Sequence, residues 1–209
     1  MSITTDKVRS IICDIAAAVE QQKQHLSDLD QAIGDGDHGF NMARGFDVVV
    51  QKLKDAPGAD IGEVLKTVAM ALISNVGGAS GPLYGSLFLK ASGAAKGLTE
   101  VDLPGFVPIL REGVLGVQAR GKAELGEKTM LDVLFPVLDS LESDGAAGLS
   151  CAEAFANAEK VAAESMEKTK DIIAKKGRAS YLGERSIGHI DPGAASSCLI
   201  VSVISKALA

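Results

Sequence analysis

No run of apolar residues in this sequence reaches the roughly 18 that a membrane-spanning helix needs, so no membrane segment is expected. The N-terminus, MSITTDKVRSII, lacks the basic-then-apolar layout of a signal peptide. Cysteine is scarce: Cys13, Cys151 and Cys198 are an odd number without a CxxC pair. That argues against a disulfide framework and for a reduced, cytoplasmic setting. Positive charge is short as well, with a net charge of −6 at pH 7. A general nucleic-acid binder would show a basic face, and this chain does not. Any bound anion must therefore be held locally, by helix N-termini, a metal or a few placed cations. Tryptophan is absent and aromatics make up 4% of the chain, whereas alanine and glycine are plentiful, which suits closely packed helices. No stretch of alternating Val, Ile or Thr reads as a strand.

What is present has the period of a helix. Val8, Ile11, Ile12, Ile15 and Val19 follow the i, i+3, i+4 rhythm of one buried stripe. Ile61 to Leu72 repeats it, as do Phe106 to Val117 and Leu131 to Leu141. Pro104 and Pro108 are expected to push the regular part of the helix around them later. Ser150 with Glu153 forms a capping box, and Asp191–Pro192 reads as N-cap then N1. The pattern predicts an all-α fold of eight helices: 5–32, 39–54, 60–75, 81–97, 102–120, 129–143, 150–175 and 193–208. There is no internal repeat and no domain linker, so residues 1–209 are expected to form one domain. Short connections make neighbouring helices antiparallel.

The glycine-rich connections have a regular placement. IGDGDHG (33–39), NVGGASG (75–81), RGKAELGEK (120–128) and GRASYLGERSIGHIDPG (177–193) are every second connection. In an antiparallel bundle alternate connections lie at the same end. All four loops are therefore expected at one end, the candidate site.

The acidic loop carries Asp30, Asp35 and Asp37, which are hard oxygen ligands. Carboxylates this close repel one another unless a cation compensates. Mg²⁺ suits the set better than Zn²⁺, since no second soft ligand is near. The twelve-residue EF-hand loop is missing. A polar turn in which Asp37 caps the next helix explains DGD equally well when it is taken alone. His38 and Asn41 stand at a helix start and can reach a phosphate there; a surface turn histidine is the plainer reading. In NVGGASG, Gly77 and Gly78 read as a helix stop and Ser80 as an N-cap. The same loop can cradle a phosphate, although the GK[ST] of a Walker A loop is absent. The longest non-periodic stretch, 175–194, concentrates Lys175, Lys176, Arg178 and Arg185. Arg178 is a candidate phosphate clamp, and a solvated loop is the alternative. Met130 is either a soft wall against a ring or core filling. No Ser-His-Asp or Cys-His signature has a defensible context.

Four segments carry a family resemblance: LDQAIGDGDHGFNMARGF (29–46), NVGGASGPLYG (75–85), RGKAELGEKTMLDV (120–133) and GRASYLGERSIGHIDPGA (177–194). In this order and over the whole length they resemble the nucleotide-binding L subunit (DhaL) family of bacterial dihydroxyacetone kinases. The resemblance implies a barrel or bundle of eight antiparallel helices with the nucleotide at one end. It implies that Asp30, Asp35 and Asp37 hold two Mg²⁺ ions bridging the nucleotide phosphates. His38, Gly39, Phe40 and Asn41 would lie beside the phosphates, and Ala79 and Ser80 would form a second phosphate-contacting turn. Gly121, Met130 and Arg178 would surround base and ribose. Asp191, Pro192 and Gly193 would make the last contact.

The resemblance further implies that ADP is a held cofactor, rephosphorylated by a phosphotransferase-system M subunit. The ATP formed would pass its γ-phosphoryl to dihydroxyacetone bound on a separate K subunit. No catalytic residue is assigned on this chain beyond the metal–nucleotide site, and without a K-type domain it is incomplete as a kinase. Three alternatives remain: a ketose kinase subunit using exchangeable ATP, a nucleotide-sensing regulator of a transcription factor, and a helical metal binder without nucleotide. Homodimer formation is left open. The stretch 177–190 is expected to act as a lid.

Overall fold

Each apolar stripe finds its place in a computed structural model that describes residues 2–209. The helices are α1 (Thr5–Ile33), α2 (His38–Asp55), α3 (Ile61–Asn75), α4 (Ser80–Ala94), α5 (Leu103–Gly121), α6 (Leu131–Ala146), α7 (Cys151–Lys168) and α8 (Pro192–Leu208). Ile11, Ile12, Ile15 and Val19 of α1 are buried, as are Val64, Val68 and Leu72 of α3 and Leu134, Val137 and Leu141 of α6. Every helix packs on its neighbours in the chain, and α8 returns to pack on α1. The ring of helices thus closes on itself around one core. Among its largest enclosed side chains are Tyr84, Phe46 and Phe155. Glycine permits the closest contacts: a Cβ on Gly116 of α5 would lie 2.8 Å from the Ser86 carbonyl of α4. No helix of the described residues is long and apolar enough to cross a membrane.

The helix starts divide into two kinds. Helices α1, α3, α5 and α7 are capped by the side chains of Thr4, Asp60, Asp102 and Ser150, the last as a full capping box with Glu153. At the starts of α2, α4 and α6 the N-cap residues Asp37, Ala79 and Met130 give no side-chain cap. These three begin at the end that carries the glycine-rich loops, together with α8, which Asp191 caps.

Four expectations need correction. Helix α7 stops at Lys168 rather than 175, because Thr169 turns the chain through a 3₁₀ segment, Thr169–Asp171. There the Thr169 hydroxyl donates to the Met166 carbonyl and accepts the Asp191 N–H. The two prolines do not delay α5: it begins at Leu103 with Pro104 in its first turn, where the missing N–H would be unpaired in any case. Ser80 is not an N-cap but the first residue of α4. A two-stranded antiparallel sheet also exists, β1 (Ile3–Thr4) against β2 (Glu100–Val101), with Ile3 opposite Val101. Two residues are too few to show alternation.

Candidate functional site

The acidic loop is built on the last turn of α1. Gly34 is fixed as glycine, since a Cβ there would lie 2.1 Å from Asp30 Oδ1. Gly36 takes φ +76, a region that L side chains avoid. Asp30 is buried, and its Oδ2 accepts the N–H groups of Asp37 at 2.9 Å and His38 at 3.2 Å. The hydroxyl of Ser27 accepts the next two, from Gly39 at 3.1 Å and Phe40 at 3.3 Å. Helix α2 is therefore capped from α1, by Asp30 and Ser27, and not by the Asp37 side chain. Burial raises the pKa of Asp30, while the two N–H donors oppose the rise and Asp35 and Asp37 add to it. Asp35 and Asp37 are exposed, and one ligand oxygen from each of the three carboxylates lies within 4.8 Å of the others. The guanidinium of Arg178 reaches this cluster from across the site, 2.9 Å from Asp35 Oδ2.

The second wall is the start of α4. No side chain caps it, and among the described residues no acceptor meets the N–H of Ala79 or Gly81. A helix start with free N–H groups is a ready anion site. His38 joins this wall to the first. Its Nδ1 is 2.8 Å from Ser80 Oγ and its Nε2 is 2.9 Å from Ser196 Oγ. Ser196 Oγ lies 2.7 Å from the Tyr84 hydroxyl, which lies 3.0 Å from Ser197 Oγ. Burial pushes the pKa of His38 down to about 4, with Asp37 opposing. His38 is thus a neutral hub between α2, α4 and α8 rather than a surface turn residue.

The third wall is apolar. Met130 is buried beside Leu83, Val117, Ala123 and Leu131. Gly121 faces it and keeps the wall low, since a Cβ there would lie 3.0 Å from Leu83 Cδ2. Asp132 organises the loop before α6: its two oxygens accept from Gly126 N–H at 2.6 Å and Thr129 N–H at 2.7 Å. On the last side Asp191 accepts the Ala194 N–H at 2.7 Å, the N-cap expected from Asp–Pro. Burial pushes the pKa of Asp191 up to about 7, against the Ala194 N–H, which lowers it; Asp132 and Asp30 add to the rise and Lys128 opposes it.

These walls enclose one cavity of about 560 Å³, within the range usual for small-molecule sites. It is lined by Asp30, Asp35, Asp37, His38, Ala79, Ser80, Gly121, Met130, Arg178, Asp191, Pro192 and Gly193, so all four glycine-rich loops meet at it. Three of the residues singled out in the sequence do not line it. Gly39 is buried against α1, where a Cβ would lie 1.9 Å from the Lys23 carbonyl oxygen. Phe40 is 45% exposed, with the Lys23 ammonium 6.0 Å from its ring centre. Asn41 is buried and accepts from Arg44 at 2.6 Å. Conversely, Ser27, Tyr84, Lys128, Asp132 and Ser196 shape the site and were missed. Tyr84 and Lys128 lie inside the quoted segments, but nothing in their spacing marks them. Ser196 meets His38 from 158 residues away, which no local pattern encodes.

The DAK2 domain family matches residues 32–206. The ADP-binding subunit DhaL of the PEP-dependent dihydroxyacetone kinase 1 of Listeria innocua is 48% identical over 187 residues, 90% of this chain and 88% of that protein. The corresponding ADP-binding subunit DhaL of Escherichia coli is 42% identical over 207 residues, 99% of each chain. Among solved structures, the native dihydroxyacetone kinase of C. freundii matches with a TM-score of 0.75 at 25% identity. That match covers 95% of this chain and 34% of the larger protein.

Proposed function

The chain belongs to the DAK2 domain family, and we propose that it serves there as the ADP-binding subunit of a PEP-dependent dihydroxyacetone kinase. One observation carries this reading: a single cavity sets three clustered carboxylates opposite an uncapped helix start, with an apolar slot beside them. A polyphosphate with its cations suits the first two features, and a purine ring suits the third.

The donor set fits hard divalent cations, because all the candidate ligand atoms are carboxylate oxygens. Asp30, Asp35 and Asp37 would hold two Mg²⁺ ions, which when bound supply charge neutralisation to the polyphosphate. The free N–H groups of Ala79 and Gly81 and the Ser80 hydroxyl bind phosphate oxygens. His38 holds that hydroxyl from behind. Gly39, Phe40 and Asn41 act indirectly: the first lets α2 approach α1, the N–H groups of Gly39 and Phe40 anchor the turn to Ser27, and the Asn41 amide oxygen accepts from Arg44 within α2. Met130 and Gly121 border the base, Arg178 the ribose and phosphates, and Asp191 to Gly193 close the far side. Catalysis by this chain is read as positioning and charge compensation of the bound nucleotide.

The chain acts as one domain in the cytoplasm, with a dihydroxyacetone-holding K subunit as acceptor and a phosphotransferase-system M subunit as donor. Reconstitution tests this reading. Purified protein is mixed with K and M subunits, phosphoenolpyruvate and the phosphotransferase-system proteins, and dihydroxyacetone phosphate is measured. Formation that depends on this chain is expected; none, with the other components shown to be active, would contradict the proposal. Stimulation by added ATP in place of phosphoenolpyruvate and the M subunit would mark the exchangeable-ATP alternative instead.

A further inference from the structure

The chain leaves α7 at Thr169 and enters α8 after Asp191, and in between it carries Arg178 to the acidic loop. Two hydrogen bonds tie the ends of this excursion: Asp191 N–H donates to the Thr169 hydroxyl oxygen at 3.1 Å, and Gly188 N–H donates to the Lys170 carbonyl at 2.7 Å. A side chain from elsewhere joins them. The Lys128 ammonium donates to the carbonyls of both Thr169 and His189, each at 2.5 Å. Lys128 is 1% exposed, and lysine is almost never buried so completely unless paired. Its backbone sits at φ 62, a region that non-glycine residues seldom enter. Asp132, Asp171 and Asp191 are the acidic groups around it, yet none of them is within ion-pair distance in the described residues. What the ammonium grips is backbone, at the departure and return of one loop.

We propose that Lys128 is a positioning residue for the cavity, clamping both ends of 169–191. The clamp sets where Arg178 meets the acidic loop and where Asp191 to Gly193 begin α8. What the positioned residues hold rests on the nucleotide reading above. The position of the loop does not depend on that reading.

The test uses the intact protein with Lys128→Met, which keeps the length and apolar stem and removes the donors. Lys128→Gln, which can reach one carbonyl, is the fallback if Lys128→Met fails to fold. Hydrogen exchange is measured across the chain, and ADP release is measured in the presence of Mg²⁺. Exchange in 170–190 is expected to accelerate on the order of tenfold, the scale of losing charge-assisted bonds, while α1 to α6 stay protected. ADP release is expected to accelerate similarly. Because Lys128 acts partly through Arg178, the double variant Lys128→Met/Arg178→Ala should release ADP more slowly than the product of the two single effects predicts. Unchanged exchange in 170–190, or effects on release that multiply, would overturn the proposal. Absence of ADP from the unaltered protein would count against the nucleotide reading, and the exchange result would still decide on the clamp.

Discussion

Asp30 serves two demands at once. Its Oδ2 caps α2 through the N–H groups of Asp37 and His38, and it belongs to the carboxylate cluster. Asp35 and Asp37 are exposed and cap nothing by side chain. Substitution should separate the roles. Asp30→Ala is expected to lower stability by about 1–2 kcal/mol, the scale of a lost N-cap, and Asp30→Asn by less, since an amide oxygen still accepts. Asp35→Ala and Asp37→Ala should leave the urea midpoint unchanged while abolishing nucleotide retention, like both Asp30 variants. A large stability loss in either exposed variant would contradict the assignment. Asp191 gives a pH dependence. Its folded pKa is about 7, raised by burial from 3.8. The protonated form is favoured in the fold, so this contribution to stability is complete below about pH 4 and lost as pH rises through 7. Asp191→Asn keeps a capping oxygen without the charge. Its urea midpoint should therefore gain on the unaltered protein between pH 5 and pH 8; a constant difference would refute the shift. The clustering of the three carboxylates was legible because they are close in sequence. The second oxygen's work in capping was not, because a cap from the preceding helix leaves no local signature.

At the scale of elements, the two kinds of helix start are the informative feature. Four helices begin with a side chain that takes up a free N–H, at the end away from the cavity. Helix α4 begins at the cavity with none. A helix start left open in this way is stable enough within a packed ring and available to an anion. Placing a carboxylate there should therefore stabilise slightly and disable. Ala79 has helical backbone angles, φ −76 and ψ −24, from which a side chain does not cap, so Ala79→Asp is expected to add only about 0.3–1 kcal/mol through the helix dipole, and to lose ADP because a carboxylate then repels the phosphates of the proposed ligand. A variant that retained ADP at the unaltered level would remove α4 from the account. Most helices were legible because their apolar stripes repeat over several turns. The end of α7 was not, since 169–175 contains no breaker: the helix yields there to bonds from Lys128 and Asp191, both distant in sequence. The β1–β2 pair was equally hidden, being two residues on each side.

For the whole molecule, the up-and-down alternation of the helices gathers every second connection at one end, and α8 closes the ring on α1. The alternation of glycine-rich loops in the sequence carried this directly, and it is why the cavity's position was legible while its depth and internal hydrogen bonds were not. The net charge of −6 makes the local devices necessary: a polyanion is held by such a protein only where cations and oriented N–H groups overcome the background. On the proposed reading, the carboxylate cluster would share its compensating cations with the ligand. The central claim is therefore that a Mg²⁺–adenine nucleotide occupies the cavity. Mass spectrometry of the protein purified in Mg²⁺ and then denatured tests it most directly. Close to one ADP should be released per chain, and none after exhaustive treatment with a chelator; purified protein without adenine nucleotide, and unable to take it up with Mg²⁺, would leave the cavity without this occupant.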